Sequence, residues 1–278
     1  MIKGDHRHSE VPLLDVVHLL FDREHNRIAR ELQGLNPGWD DEKLYQEARK
    51  ILTGIYQHIV YNEYLPIIVG KVYNYYGLRS SPRGHKTLYH PYLDPRTYNE
   101  FGAAAFRFGH SQVGSFVGAS SMDYKEIRKR PLEKEYFNIH LIRDKKNQFG
   151  VDRIGRWMLG TISSKSDRFF TPTVRDRLFE TKPGNGFDLN ALNIQRGRDH
   201  GIPGYNKFRQ FCGLRPANHF ETGPLGLIDH DEESARGLAS VYRYICILPF
   251  FLYGLLTNIL YMATASVAQW LACSPRVL

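Results

Sequence analysis

Residues 12–35 read PLLDVVHLLFDREHNRIARELQGL, a stretch in which apolar residues recur at roughly helical spacing. Pro12 suits the first turn of a helix and Gly34 suits its exit, so we predict one helix that ends before the Asn36-Pro37 pair. The apolar positions are Leu13, Val17, Leu20, Ile28 and Leu32. This pattern is that of an amphipathic helix with one face toward a core.

Helical patterns continue toward the C-terminus. A second helix is predicted over residues 40–64, because its apolar residues form one stripe and acidic residues occupy its first turn; Pro66 is expected to stop it. Residues 73–94 have no period and read as a loop. Asp94-Pro95 then favours a helix entry, with one apolar face continuing to Gln112. Further helices are predicted over residues 152–159 and 172–180.

Strand patterns are scarce. No alternating run of six or more residues occurs in the sequence, and residues 121–148 are charged and weakly periodic. The sheet content should therefore be small. The predicted fold class is mainly α, a multi-helical domain.

The composition is that of a globular protein. The chain has 278 residues, of which 42% are hydrophobic and 24% charged, values that exclude a disordered, collagen-like or disulfide-framework chain. The formal net charge is +8, but acidic residues lie between the basic ones, so no nucleic-acid partner is predicted. The chain has three cysteines, Cys212, Cys246 and Cys273. This odd number does not decide whether the protein resides in an oxidising or a reducing compartment.

The C-terminal part differs in character. No charged residue lies between Arg243 and Arg276, and residues 244–268 are predominantly apolar and long enough to span a bilayer. The alternative is an aberrant translated tail, because the composition switches within a few residues of Tyr242. We therefore divide the chain into a domain of residues 1–242 and an uncharged hydrophobic tail of residues 243–278. No signal peptide is evident at the N-terminus.

Two polar segments invite a functional interpretation. Residues 4–12, GDHRHSEVP, lie next to the first predicted helix, and their composition is typical of a solvent-exposed run of charged residues. His6 and His8 are spaced so that they could bind zinc, but the sequence offers no evident third ligand. Residues 189–206, LNALNIQRGRDHGIPGYN, predict a rigid polar loop. That loop is either a structural hydrogen-bond network or a segment whose asparagine orients a ligating histidine.

A third segment centres on His110. Residues 105–111 read AFRFGHS on a predicted helix, so His110 is either a core residue satisfied by a hydrogen bond or an axial ligand of a haem iron. Arg107 shares its face and could hold a cofactor carboxylate. Residues 109–113 nearly form the nucleophile elbow of a hydrolase around Ser111, but Val113 stands where glycine is needed.

Together with REHNRIA at residues 23–29 and LYQEARK at residues 44–50, these segments occur in the order found in animal haem peroxidases. The chain therefore resembles that family from about residue 4 to residue 216, and the resemblance fades by Tyr242. It implies that residues 1–242 form a partial peroxidase domain.

The resemblance also implies roles on the proximal side of a haem. His110 matches the iron ligand, and Asn193 matches the asparagine bonded to the other nitrogen of that histidine. Arg107 and Arg196 match residues near the haem propionates. Physically, a neutral histidine whose second nitrogen donates to a fixed amide oxygen is a good iron ligand.

On the distal side, Arg7 matches the catalytic arginine that polarises bound peroxide, and Glu10 matches a glutamate that can form an ester with the haem. The implied cofactor is a b-type haem, and the family also binds calcium through a loop that this chain does not contain. The implied substrates are hydrogen peroxide and a small-molecule or protein electron donor, or a halide. The implied location is secreted or extracellular.

The departures from the family are upstream of Arg7. The distal histidine, a second ester-forming residue and the calcium loop precede the arginine block in the family, whereas this chain begins six residues before Arg7. Without that histidine, proton transfer should be slower by roughly 100-fold or more, so we expect a truncated peroxidase with impaired or no activity. The competing hypothesis is a non-catalytic module that keeps the peroxidase scaffold. Such a module would either be anchored in a membrane through residues 244–268 or act as a basic binding module.

Overall fold

The computed structural model describes residues 5–70, 72–75, 77–79, 91–92, 94, 96–144, 146 and 148–252. Over these residues the protein is mainly helical, as predicted. The α-helices are α1 (Pro12–Leu35), α2 (Asp41–Ile59), α3 (Leu65–Val69), α4 (Val72–Tyr75), α5 (Asn99–Ala103), α6 (Val151–Gly160), α7 (Pro172–Arg175), α8 (Leu189–Asp199), α9 (Tyr205–Phe211) and α10 (Glu232–Val241). Two strands, β1 (Phe116–Ser120) and β2 (Glu126–Pro131), form an antiparallel hairpin.

Shorter helical turns connect these elements. A π-helical stretch, Val60–Tyr64, follows α2, and 3₁₀ turns occupy His6–Ser9, Ala105–Gln112, Leu132–Lys134, Leu141–Arg143 and Ile245–Ile247. The chain divides into two compact units, each built from three separate stretches. The first unit comprises Met1–Val60, Gly114–Ser163 and Thr171–Phe187, and the second comprises Tyr61–Val113, Ser164–Phe170 and Asp188–Leu278.

In the first unit, α1 packs against α2 and α6, and β1 packs on α6. Strand β1 and helix α6 approach each other closely at Gly118, where the indole of Trp157 occupies the space that a Cβ would need. Glycine is therefore required at this position. Strand β2 is the outer strand, and its residues are largely exposed.

In the second unit, a hydrophobic core forms between α9, α10 and the segment around Leu248, with Tyr205, Leu227 and Leu238 buried within it. Arg168 stabilises the start of α10 by donating hydrogen bonds to the carboxylates of Asp231 and Glu233. Helix α8 packs against α5.

The prediction of the first helix is confirmed, since α1 spans Pro12–Leu35 with Pro12 in its first turn. The second helix begins as predicted, with the Asp40 carboxylate accepting from the backbone N–H of Lys43. The prediction that Pro66 ends it is wrong. The chain winds through the π-helical stretch, and Pro66 lies in the first turn of α3, where a missing N–H costs no hydrogen bond.

Three further predictions of secondary structure need correction. The helix expected from Asp94-Pro95 begins at Asn99 and breaks at Ala104, after which the chain tightens into a 3₁₀ helix. The polar loop expected at residues 189–206 is largely helix α8. The helix expected over residues 172–180 ends at Arg175.

The hairpin was not foreseen, although the expectation of little sheet is confirmed. Part of the expected loop at residues 73–94 lies outside the described residues. Within the described part of the chain, no helix has both the length and the apolarity needed to cross a membrane. Of the predicted membrane span at residues 244–268, residues 253–268 lie outside the described residues.

Cys212 is disulfide-bonded, and Cys246 carries a free, exposed thiol.

Candidate functional site

In the second unit, the structure brings together three of the residues singled out in the sequence. The side-chain nitrogen Nδ2 of Asn193 lies 3.0 Å from Nδ1 of His110. Nη1 of Arg107 donates to Oδ1 of the same asparagine at 2.6 Å. Asn193 thus links the guanidinium to the imidazole.

The local sequence explains how these side chains meet. A 3₁₀ helix has three residues per turn, so Arg107 and His110 project from the same side of the Ala105–Gln112 turn. Opposite them, the Asp188 carboxylate caps α8 by accepting from the backbone N–H groups of Asn190 and Ala191. This cap fixes the start of the helix one turn before Asn193, whose side chain is completely buried.

The environment keeps His110 neutral. Burial, helped by the positive charge of Arg107, lowers the pKa of His110 from 6.5 to about 4. The ring therefore carries a lone pair at neutral pH, which a metal ligand requires. Burial and the neighbouring charge of Arg196 likewise lower the pKa of Arg107. The two guanidiniums repel each other, so an anion between them would be stabilised.

The direction of the hydrogen bonds differs from the expected one. An amide nitrogen can only donate, so Asn193 Nδ2 donates to Nδ1 of His110, and the proton of the neutral ring is on Nε2. The sequence reasoning assumed the reverse, with the histidine donating to the amide oxygen. That oxygen is instead engaged by Arg107.

Arg196 lies on α8 one turn beyond Asn193 and is exposed. Its Nη1 is 4.0 Å from Oδ2 of Asp199, a loose pair at the surface. The guanidinium of Arg196 is therefore available for an anionic ligand.

Ser111 shows no feature of a nucleophile. Its hydroxyl is buried, donates to the carbonyl oxygen of Phe108 at 3.2 Å and accepts from the backbone N–H of Asp167 at 3.0 Å. These bonds give the serine a structural role, against its use in hydrolysis.

Arg7 and Glu10 belong to the first unit. Arg7 lies in the His6–Ser9 turn and forms a two-pronged ion pair with Asp5, in which Nε donates to Oδ1 at 3.0 Å and Nη2 to Oδ2 at 2.6 Å. This pairing lowers the pKa of Asp5 and leaves Nη1 of the arginine outside the pair. Asp5 is a candidate positioning residue that the sequence reasoning missed, and its two-residue spacing from Arg7 was the available signal.

Glu10 is half-buried next to Tyr136, and desolvation raises the pKa of its carboxyl group. Its carbonyl oxygen accepts from the backbone N–H of Phe137 at 3.3 Å. The zinc interpretation of His6 and His8 gains no support, because the described residues contain no group of three or more potential metal ligands.

Comparison with known proteins gives consistent results. Residues 1–256 match the family described as animal haem peroxidase. Myeloperoxidase of Mus musculus is 38% identical over 250 residues, which cover 87% of this chain and 33% of that protein. Human eosinophil peroxidase is 38% identical over 247 residues, with the same coverage.

Among solved structures, peroxidase A from Dictyostelium discoideum matches 97% of this chain and 50% of that one, with a TM-score of 0.78 and 32% identity. The chain spans about one third of the length of the curated relatives that it matches.

Proposed function

Because this chain belongs to the animal haem peroxidase family, we propose that it binds a b-type haem through His110 and serves the reduction of hydrogen peroxide with oxidation of an electron donor or a halide. The observation that carries the proposal is the pairing of a neutral imidazole with a buried amide. Asn193 engages Nδ1 of His110, so Nε2 is the ring nitrogen that remains to face a metal once it has given up its proton.

The residues present fit a haem in their chemistry. A haem offers one iron and two propionates, and the site offers one neutral imidazole and two neighbouring guanidiniums, Arg107 and Arg196. When bound, the haem would supply the redox-active iron. Asn193 would orient the ligand, and the arginines would hold the propionates.

On the peroxide side, we propose that Arg7 stabilises the negative charge that develops on peroxide as its O–O bond breaks. Its pairing with Asp5 supports this role, because it orients the guanidinium and keeps Nη1 free of the pair. Glu10 is proposed to carry the ester link. Its raised pKa indicates a carboxyl group in a poorly solvated position.

The remaining proposals concern the extent and setting of the protein. We propose residues 1–242 as the partial peroxidase domain and residues 243–278 as a hydrophobic tail whose first residues, around Leu248, pack into the core of the second unit. We also propose an extracellular location for the protein. For a polypeptide of these 278 residues alone, we propose peroxidase turnover lower by roughly 100-fold or more, for want of the family's distal proton acceptor. We propose calcium as a cofactor of the complete domain that is found in this family.

The test is a titration of the purified chain with hemin, followed by absorption spectroscopy. A haem site predicts a His110-dependent Soret band that His110→Ala abolishes and that added imidazole restores by filling the vacated position. His219→Ala, which removes another histidine of the second unit, is the matched control and should bind normally. A chain that takes up no hemin would favour the non-catalytic module.

A further inference from the structure

The side chain of Asn193 is asymmetric, and its orientation sets the state of His110. One end of the amide can only donate and the other end can only accept. In the structure the accepting end faces Arg107 at 2.6 Å and the donating end faces His110 at 3.0 Å. Arg107 cannot accept a hydrogen bond, so it holds the amide in this orientation.

This orientation opposes metal binding. When Nδ1 of His110 accepts a hydrogen bond, the single proton of the neutral ring is on Nε2, and a protonated nitrogen cannot bind a metal. Metal ligation through Nε2 requires the proton on Nδ1 and the amide oxygen facing it. Turning the amide by about half a revolution achieves this but presents its NH₂ group to Arg107, and two donors then face each other.

The conflict is removed if Arg107 has another acceptor. Arg107 is half-exposed, and besides Asn193 it reaches only the carbonyl oxygen of Gly102, at 3.3 Å, within the described part of the chain. A carboxylate presented from outside would be a far better acceptor than a neutral amide. The positive charge of Arg196 nearby would stabilise the same anion.

We propose that Arg107 locks Asn193 in the orientation that disfavours metal ligation by His110, and that a carboxylate bound by Arg107 releases this lock. Carboxylate recognition and metal ligation are thereby coupled through one amide. The change conserves protons, because Nε2 loses one to water while Nδ1 gains one from water and the ring stays neutral. The inference rests on the proposed haem site for its main test.

A plain ion pair between Arg107 and a propionate predicts a different pattern. In that case removing the arginine weakens binding of any porphyrin with free propionates and leaves a porphyrin without them unaffected. The lock predicts that removing Arg107 changes the two affinities in opposite directions. Binding of the porphyrin with free propionates should become weaker, whereas binding of the esterified porphyrin should become stronger, because Asn193 becomes free to turn.

The experiment compares hemin with hemin dimethyl ester, titrated into the full chain under identical detergent conditions. For Arg107→Met we expect weaker hemin binding and an affinity for the ester higher by about tenfold, the size expected for releasing a charged hydrogen bond. Arg198→Met removes a charge from α8, the helix that carries Asn193, and should change neither affinity. Arg198 lines a pocket that includes none of Arg107, His110 and Asn193.

A second variant keeps the arginine. Asn193→Asp can accept from Arg107 and from Nδ1 of His110 at once, so the ester should again bind more tightly than in the unmodified chain. If ester affinity is unchanged or falls in both variants, the lock is refuted, while a normal hemin Soret band would leave the proposed function standing.

A readout without porphyrin separates the two proposals further. In ¹⁵N spectra of the chain alone, Nδ1 of His110 should give the signal of an unprotonated nitrogen, and Arg107→Met should shift it toward the protonated form. This result would support the lock even if hemin did not bind. A protonated Nδ1 in the unmodified chain would overturn it.

Discussion

Nδ2 of Asn193 lies 3.0 Å from Nδ1 of His110, across 83 positions of sequence. The two residues belong to a 3₁₀ turn and to helix α8, and the contact therefore depends on how each segment is held in place. Asn193 is held in place by helix α8, whose start depends on the carboxylate of Asp188.

Asp188→Ala should weaken both the helix and the site. The carboxylate of Asp188 satisfies two backbone N–H groups at the start of α8, and losing such a cap costs about 0.5–2 kcal/mol. Thermal unfolding should show this loss, and hemin affinity should fall because Asn193 is less well positioned. Asp199→Ala, at the opposite end of the same helix, should cost little, since a negative charge there is unfavourable. Equal losses from the two variants would contradict the expectation.

Gly118→Ala should destabilise the first unit. A methyl group at this position would overlap the indole of Trp157, and such overpacking costs about 1–3 kcal/mol. Gly54→Ala is the matched control. Gly54 lies inside α2 with no atom near its would-be Cβ, so alanine there should stabilise by about 1 kcal/mol. Urea denaturation of the two variants should therefore move the midpoint in opposite directions.

Arg168→Ala should loosen the start of α10. Arg168 is largely buried and donates to Asp231 at 2.9 Å, to the Ser234 hydroxyl at 3.0 Å and to Glu233. Removing a group with several charged partners should cost about 1–3 kcal/mol. Arg236→Ala breaks an exposed pair with Glu232 in the same helix, and such pairs contribute only about 0–1 kcal/mol. Hydrogen exchange of the α10 amides should distinguish the two variants, and equal protection would argue against the role of Arg168.

Through its buried His230, the protein should gain stability as the pH rises between about 4 and 6.5. Burial lowers the pKa of His230 from 6.5 to about 4, so in this window the unfolded chain binds a proton that the folded chain does not. One such proton makes the free energy of unfolding fall by about 1.4 kcal/mol for each unit that the pH decreases. His110 contributes in the same direction.

The readout is the pH slope rather than the absolute stability. His230→Phe keeps an aromatic ring against Tyr205 and removes the titrating group. The slope of the free energy of unfolding against pH should therefore decrease by about 1.4 kcal/mol per pH unit, the contribution of one proton. Denaturant unfolding at several pH values measures it. An unchanged slope would show that His230 is protonated alike in the folded and unfolded chains.

Asp5→Ala tests the orientation of Arg7. If the paired guanidinium stabilises charge on peroxide, losing its partner should lower kcat/KM for hydrogen peroxide by about tenfold with little change in hemin affinity. Glu24→Ala breaks a pair of similar geometry with Arg27, outside the proposed site, and should leave kcat/KM unchanged. Equal turnover in the two variants would count against Asp5 as a positioning residue.

The parts of the fold that depend on local chemistry could be predicted from the sequence. Pro12 and Asp40 mark the starts of two helices because proline and a capping carboxylate act within one turn. The 3₁₀ turn at residues 105–112 could not be predicted. Its apolar spacing also fits an α-helix, and the break at Ala104 depends on packing that periodicity does not encode.

The candidate site was predicted in part. Motif resemblance indicated Asn193 and His110, but the hydrogen-bonding side chains, three glycines and a proline of residues 189–206 suggested a loop. The capping carboxylate of Asp188, which starts helix α8, was not considered. The direction of the amide was also misjudged. That direction is set by Arg107, a neighbour only in three dimensions, and spacing along the chain carries no signal for it.

Each compact unit is assembled from three stretches of chain that alternate with those of the other unit. Neither can therefore be excised as one continuous piece, and any single cut that isolates the His110 turn separates it from α8. Many contacts within a unit close long loops, a topology of high contact order that folds slowly. The chaperone demand and yield of this protein in expression should reflect that interleaving more than the composition of either unit.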